Sequence, residues 1–173
     1  LATGSTTVLA GDISGVNKIT FSSGASGRMF ANQNISLEAN KTYTLSAKAD
    51  LSSNALRIDY YIWFSDFPAG ATFQYLVDDV VVSNTSVVPA GKHTLGVIIT
   101  VDNTAGSATM RFGVGVQNNV SNAVATFELP QLEEGFARTS WIPTTTSAAT
   151  RQNDSFIYHK TNETNTGTIF IRG

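Results

Sequence analysis

The chain has 173 residues, no cysteine, 14% charged residues and a formal net charge of −2. This length suits one sandwich-sized core better than two full domains. The sparse charge argues against binding nucleic acid or an anionic membrane, because both need clustered Lys and Arg. No run approaches the roughly 18 apolar residues of a membrane span, so we expect no membrane insertion. Without cysteine there are no disulfides, and stability must come from the core or from oligomerisation.

Eight β-strand candidates follow one another along the chain, each rich in Val, Ile, Thr, Phe or Tyr. They span residues 16–21, 28–35, 42–49, 55–64, 73–82, 93–101, 109–117 and 123–132. Turn-forming runs such as Pro68–Gly70 and Asp102–Gly106 separate them. We therefore predict an all-β fold, a jelly-roll β-sandwich of about eight antiparallel strands with a C-terminal extension.

The character of the chain changes after Pro143. Residues 144–153 are mostly Thr, Ser and Ala with nothing to bury, which is typical of a linker. We predict a first domain over residues 1–143 and an extension over 144–173. The extension is expected to hold this linker and the start of a following domain or an inter-subunit strand segment.

Strand alternation divides residues 55–64 into two rows of opposite character. The inward row is uniformly apolar and consists of Leu56, Ile58, Tyr60, Ile62 and Phe64. The outward row combines two aromatic rings with two charges and consists of Arg57, Asp59, Tyr61 and Trp63. The first row is therefore expected in the core and the second on the surface.

The same alternation applies to residues 42–49, 93–101 and 109–117. The side chains placed inward are Tyr43, Leu45, Ala47 and Ala49, then Leu95, Val97, Ile99 and Val101, then Met110, Phe112, Val114 and Val116. Those placed outward include Thr44, Ser46, Lys48, Thr94, Gly96, Arg111 and Gln117. If these rows share one sheet, Tyr61 and Trp63 form an aromatic platform. The polar rim around it would then be Arg57, Asp59, Lys48, Arg111 and Gln117. Sugar rings have apolar faces and hydroxyl edges, so this combination predicts a carbohydrate site.

A structural interpretation fits the same residues. Aromatic side chains and Arg also dominate protein interfaces, so Tyr61 and Trp63 could be covered by a loop or by another subunit. Arg57 and Asp59, two residues apart on one face, could simply pair as a salt bridge. Both interpretations stay open at the level of sequence.

The sequence favours neither catalysis nor a cofactor. The neighbouring acids Asp78–Asp79 and Glu133–Glu134 lie in predicted strands, so each pair splits between opposite faces and makes no catalytic dyad. His93 and His159 lack metal-ligand spacing. A structural calcium ion near Asp12 and Glu128 is a further hypothesis, although no compact acidic loop accompanies them.

The run QLEEGFARTSWIPTTTSAATRQND, Gln131–Asp154, resembles the closing segment of carbohydrate-binding-module-like jelly-roll domains in tail fibre and tail proteins of tailed phages. In those domains a QLEEG or QLExG run leads to a Ser-aromatic-Ile-Pro-Thr exit. The likeness is looser over Ser5–Glu128. It implies a non-catalytic, extracellular module of the virion that recognises a host cell-surface glycan.

Two alternatives accompany this resemblance. The sandwich could be a structural spacer or trimerisation module of the fibre, with no ligand of its own and with the aromatic face buried in a homotrimer. It could also belong to a larger glycan-degrading protein and present substrate to a catalytic domain elsewhere. The sequence does not separate the three.

Overall fold

A computed structural model describes residues 4–9, 18–23, 29–51, 56–114 and 123–140. All of these residues belong to one compact unit, Leu1–Trp141. The predicted extension and the boundary after residue 143 lie outside the described residues and stay predictions. Within the described ranges, no helix has the length and apolar character needed to cross a membrane.

Ten antiparallel strands form two sheets in the described part of the chain. They are β1 (Gly4–Leu9), β2 (Lys18–Ser23), β3 (Met29–Leu37), β4 (Thr42–Leu51), β5 (Ile62–Ser65), β6 (Thr72–Val77), β7 (Val80–Val82), β8 (Gly91–Thr100), β9 (Gly106–Val114) and β10 (Val124–Glu134). The large sheet has the order β1-β2-β10-β4-β8-β6-β7, and the small sheet has the order β3-β9-β5.

The strand pairing is nested, starting from β2 and the last strand, β10. β2 pairs with β10, β3 with β9 and β4 with β8. Successive pairs alternate between the large and the small sheet, so the chain wraps as a double ribbon around one core. β5 then joins β9, and β6 joins β8. The predicted all-β jelly-roll sandwich is confirmed.

The core lies between the two sheets and follows the alternation expected of half-buried strands. The large sheet fills it with Leu45, Ala47 and Ala49 of β4, Leu95, Val97 and Ile99 of β8, and Ala125 and Phe127 of β10. From the small sheet, the ring of Phe112 lies 5.6 Å from that of Phe127, centroid to centroid. The inward rows predicted for β4, β8 and β9 are therefore correct over the described residues.

The predicted strand over residues 55–64 is wrong in its first half. Ile58–Tyr60 form a 3₁₀ turn, and β5 begins only at Ile62. Residues three apart in such a turn share one side, so Ile58 and Tyr61 are both 0% exposed. Tyr60 is only partly buried, and the guanidinium of Arg57 lies 5.2 Å from its ring centroid. Tyr61 is thus a core residue and not part of an exposed platform.

The predicted strand over residues 73–82 is interrupted at its centre. Asp78 and Asp79 form a two-residue turn between β6 and β7, and both have positive φ, 51° and 66°. Two consecutive positive φ angles are typical of the type I′ hairpin turn, which matches the twist of the flanking strands. The two acids are therefore turn residues and do not alternate along a strand.

β1 is an additional strand that the sequence analysis did not predict.

The hydroxyl of Tyr61 accepts a hydrogen bond from the Leu56 amide at 3.2 Å inside the core. Tyr61→Phe should therefore lower the free energy of unfolding by about 1–3 kcal/mol, because the buried Leu56 N–H loses its partner. The matched variant Tyr60→Phe should change it by less than about 0.5 kcal/mol. Urea denaturation followed by tryptophan fluorescence measures both values. Equal effects would contradict the inward placement of Tyr61.

Candidate ligand-binding cleft

The residues predicted to form one platform lie in separate parts of the molecule. Trp63 and Arg111 are in the small sheet, whereas Lys48 is in the large sheet, so the assumption of a shared sheet is wrong. Tyr61 is in the core. Gln117 lies outside the described residues.

Arg57 and Asp59 pair with each other on the loop that precedes β5. Arg57 Nε donates to Asp59 Oδ1 at 3.0 Å, and its terminal nitrogen donates to the second carboxylate oxygen. Both side chains are partly buried, and the Arg57 guanidinium also lies over the Tyr60 ring. The salt-bridge interpretation of these two residues is confirmed, and the pair stabilises the loop beside β5.

Trp63 and Arg111 are neighbours on the outer face of the small sheet, where they are register partners. The Trp63 ring meets Phe30 edge-on, with centroids 5.5 Å apart and planes at 71°. The Arg111 guanidinium lies 5.0 Å from the centroid of the same Phe30 ring and 3.7 Å from Asp66. This aromatic–cation cluster is compact and half-buried, in contrast to the open platform that was predicted.

The outer face of the large sheet carries a cleft of about 560 Å³. Its floor contains Thr44 and Ser46 of β4, Thr94 and Gly96 of β8, and Leu76 of β6. One wall of the cleft is formed by the segment that leaves β10, residues 135–140, here termed the strap. Lys48 faces the same side of the sheet as Ser46, two residues further along β4.

The base of the strap is tied to β4 and β10. The Gly135 amide donates to the Thr42 carbonyl at 2.7 Å, and the Thr44 hydroxyl donates to the Gly135 carbonyl at 2.8 Å. The Thr139 amide donates to Glu133 at 2.9 Å, and the Thr139 hydroxyl binds the same carboxylate. Hydrogen bonds therefore fold the strap back toward the end of β10.

The far side of the strap is tied to the β6–β7 turn. Arg138 donates two hydrogen bonds of 2.7 Å to the Asp79 carboxylate. Asp78 accepts from the Thr94 amide and pairs with His93 Nδ1, both at 2.8 Å. A positive φ destabilises a non-glycine residue by roughly 1 kcal/mol or more. Both carboxylates offset that strain with contacts that glycine could not make.

The chemistry of the cleft combines one exposed ring with many hydroxyl groups. Phe136 on the strap is 80% exposed. The hydroxyls belong to Thr44, Ser46, Thr94, Thr139 and Ser140. Gly96 keeps the floor flat, since a Cβ there would lie 3.3 Å from Leu76 Cδ1. Such a surface can stack against the apolar face of a ligand and hydrogen-bond its polar edge.

Sequence reasoning assigned the floor correctly and missed the walls. Thr44, Ser46, Thr94 and Gly96 were predicted to face outward, and they do. Phe136, Arg138 and Asp79 of the walls, together with Leu76 of the floor, were not predicted as site residues. The run Leu-Val-Asp-Asp-Val-Val, in which two turn-forming acids separate apolar residues, contained the hairpin signal that locates Asp79.

Among the described residues, no three His, Cys, Asp or Glu side chains are grouped so that they could hold a metal ion. Asp12, one half of the calcium hypothesis, lies outside those residues. Glu128 lies on β10 opposite Lys48. The calcium hypothesis therefore stays untested.

The fold and the cleft define a jelly-roll β-sandwich with a polar, aromatic-walled site on the outer face of its large sheet. The chain is similar to a solved structure described as "CBM4 structure and function", with a TM-score of 0.44, 20% identity and coverage of 78% of each chain. No protein-family model and no curated protein matches the chain. The fold assignment rests on the nested strand pairing and the core of this chain itself.

Asp79 should titrate below the ordinary carboxyl range. The hydrogen bonds from Arg138 lower the pKa of Asp79, and partial burial opposes this shift. The ion pair should therefore be fully formed above about pH 4 and be lost as the pH falls through the lowered pKa. Carboxyl ¹³C NMR titration measures the midpoint. In Arg138→Ala the midpoint should rise toward the ordinary value, and an unchanged midpoint would show that the pair does not form.

Proposed function

We propose that the chain is a non-catalytic carbohydrate-binding module of a phage tail fibre or receptor-binding protein, and that its ligand site is the cleft between the strap and the large sheet. The observation that carries the proposal is the exposed Phe136 ring beside a floor and wall of hydroxyl groups. A sugar ring has an apolar C–H face that can stack on the Phe136 ring, and hydroxyl edges that can hydrogen-bond the polar groups of the cleft.

The viral and extracellular setting is supported by sequence resemblance. The run that resembles the closing segment of phage tail modules begins at Gln131, so its first ten residues, Gln131–Ser140, form the end of β10 and the strap. The segment that carries the resemblance is therefore the segment that builds one wall of the cleft. On this proposal the partner is a glycan on the surface of a host cell.

The charges around the cleft favour an uncharged or weakly charged glycan. Arg138 and Asp79, which both line the cleft, neutralise each other through two hydrogen bonds. Neutral hydroxyl contacts in an open site imply modest affinity for a single copy, about millimolar or −4 kcal/mol. Several copies on one fibre would raise the apparent affinity by roughly 10² to 10⁴ if they engage together.

A spacer or trimerisation role is the second candidate, and one observation favours it. β7 is the last strand in the order of the large sheet, and its Val80 and Val81 are 63% and 60% exposed. Exposed apolar residues on an edge strand are a surface on which another chain can pair. The aromatic cluster of Trp63 and Arg111 could be covered by the same assembly.

The glycan site can be located with two matched aromatic variants. Phe136→Ala should weaken retention on a glycan array about tenfold, or 1.4 kcal/mol, because the stacking surface is lost. Trp63→Ala should leave retention unchanged, since Trp63 lies in the other sheet. Circular dichroism checks that both variants fold. If Trp63→Ala alone abolished retention, the site would instead lie on the small-sheet face that carries Trp63, one of the two aromatic residues of the predicted platform.

The spacer role can be tested by sedimentation velocity over a range of protein concentrations. If subunits associate through β7, the wild type should form a trimer and Val81→Lys should shift it toward monomer, because a charge at the edge opposes strand pairing. Thr72→Lys, an exposed position on β6, is the matched control. A monomer at all concentrations that still binds glycan would reject the spacer role.

A further inference from the structure

The strap covers part of the floor of the cleft. Thr44 and Ser46 point away from the core, yet they are only 2% and 7% exposed. The outer surface of β4 thus lies in a space that the strap partly closes, and the Thr44 hydroxyl already donates to the Gly135 carbonyl. Movement of the strap away from the sheet would expose Ser46 to a ligand.

The strap spans the middle of the large sheet. Three inter-strand spacings, roughly 14 Å, separate β10 from β6. The long side chain of Arg138 carries the contact across to Asp79, to which it donates two hydrogen bonds of 2.7 Å. The strap is therefore joined to the β6–β7 turn through the Arg138 side chain, while Thr139 returns to Glu133 on the β10 side.

The base of the strap has the geometry of a hinge. Gly135 has φ 127°, a value that side-chain-bearing residues rarely adopt, and nothing lies within 4 Å of where its Cβ would be. The strap therefore begins at a backbone conformation that favours glycine. The two hydrogen bonds between Gly135 and β4 hold the pivot in place.

We propose that the strap is a lid, hinged at Gly135 and latched by the Arg138–Asp79 ion pair, and that ligand access to the cleft follows release of this latch. The identity of the ligand rests on the proposed glycan-binding function, but the lid does not. The Thr139–Glu133 contacts lie on the β10 side of the cleft. The Arg138–Asp79 pair joins the strap to the opposite side.

The latch is accessible to solvent and to salt. The side chains of Arg138 and Asp79 are 38% and 61% exposed, so dissolved ions screen their attraction. The open state should therefore gain population at high ionic strength. Phe136 lies two residues from Arg138 on the strap, so opening also moves the ring that stacks on the ligand.

Hydrogen–deuterium exchange of the full chain tests the lid without any ligand. In Asp79→Asn, which retains a side chain that tolerates positive φ, the Thr139 amide, whose hydrogen bond to Glu133 holds the strap, should exchange roughly fivefold faster than in the wild type. Arg138→Gln should give the same result. Asp78→Asn, in the same turn but bonded to His93 and Thr94, is the matched control and should leave the strap unchanged.

Salt gives an independent readout. Raising NaCl from about 0.05 to 1 M should speed strap exchange in the wild type and have little effect in Asp79→Asn, because screening acts on the ion pair. Unchanged strap exchange in both latch variants, or equal changes in Asp78→Asn, would overturn the lid.

Surface plasmon resonance with cellohexaose and mannohexaose separates the two proposals. Asp79→Asn should raise the association rate of whichever probe the wild type binds, and Phe136→Ala should weaken the binding of that probe about tenfold. If no glycan binds the wild type while the exchange results hold, the proposed function fails and the lid stands. If a glycan binds with the same association rate in wild type and Asp79→Asn, the latch does not gate entry and the lid is rejected.

Discussion

Burial of the large sheet on both faces is the constraint on which the rest of the structure depends. At the centre of β4 and β8, the inner residues pack in the core while Thr44, Ser46, Gly96 and Ile98 are buried on the outer face. Buried hydroxyls need hydrogen-bond partners, and Thr44 finds one in the Gly135 carbonyl. The outer face therefore requires small polar side chains and a cover. The strap supplies that cover, and the remaining space is the cleft.

The sequence predicted the fold correctly in segments where the two-residue alternation of a β-strand holds over the whole segment. β4 and β9 alternate strictly between apolar and polar or small residues, and β8 does so from Leu95 onward except at Ile98, so their inward rows were predicted correctly over the described residues. The segment over residues 55–64 looks equally regular, but a single 3₁₀ turn exchanges the positions of Tyr60 and Tyr61. Local periodicity cannot reveal such a turn, because the residues before and after it keep the apolar spacing of a strand.

The candidate site was predictable only in part, because it depends on contacts between distant segments. Which side of a strand Ser46 or Thr94 faces follows from alternation, whereas the sheet to which each strand belongs follows from the nested pairing. That pairing places Trp63 and Lys48 on different sheets. The Arg138–Asp79 contact joins residues 59 positions apart, and no local pattern encodes it. The wall of the cleft thus depends on tertiary contacts between distant residues. The facing of the floor residues depends only on alternation within each strand.

The acidic turn has a consequence for how this domain can be stabilised by substitution. Asp78 and Asp79 occupy positions where Asn-Gly is sterically preferred, so selection for heat resistance alone would favour that replacement. The substituted hairpin would be more robust and yet detached from the segment that it now restrains. Relief of backbone strain and attachment of the strap are therefore opposed at these two positions.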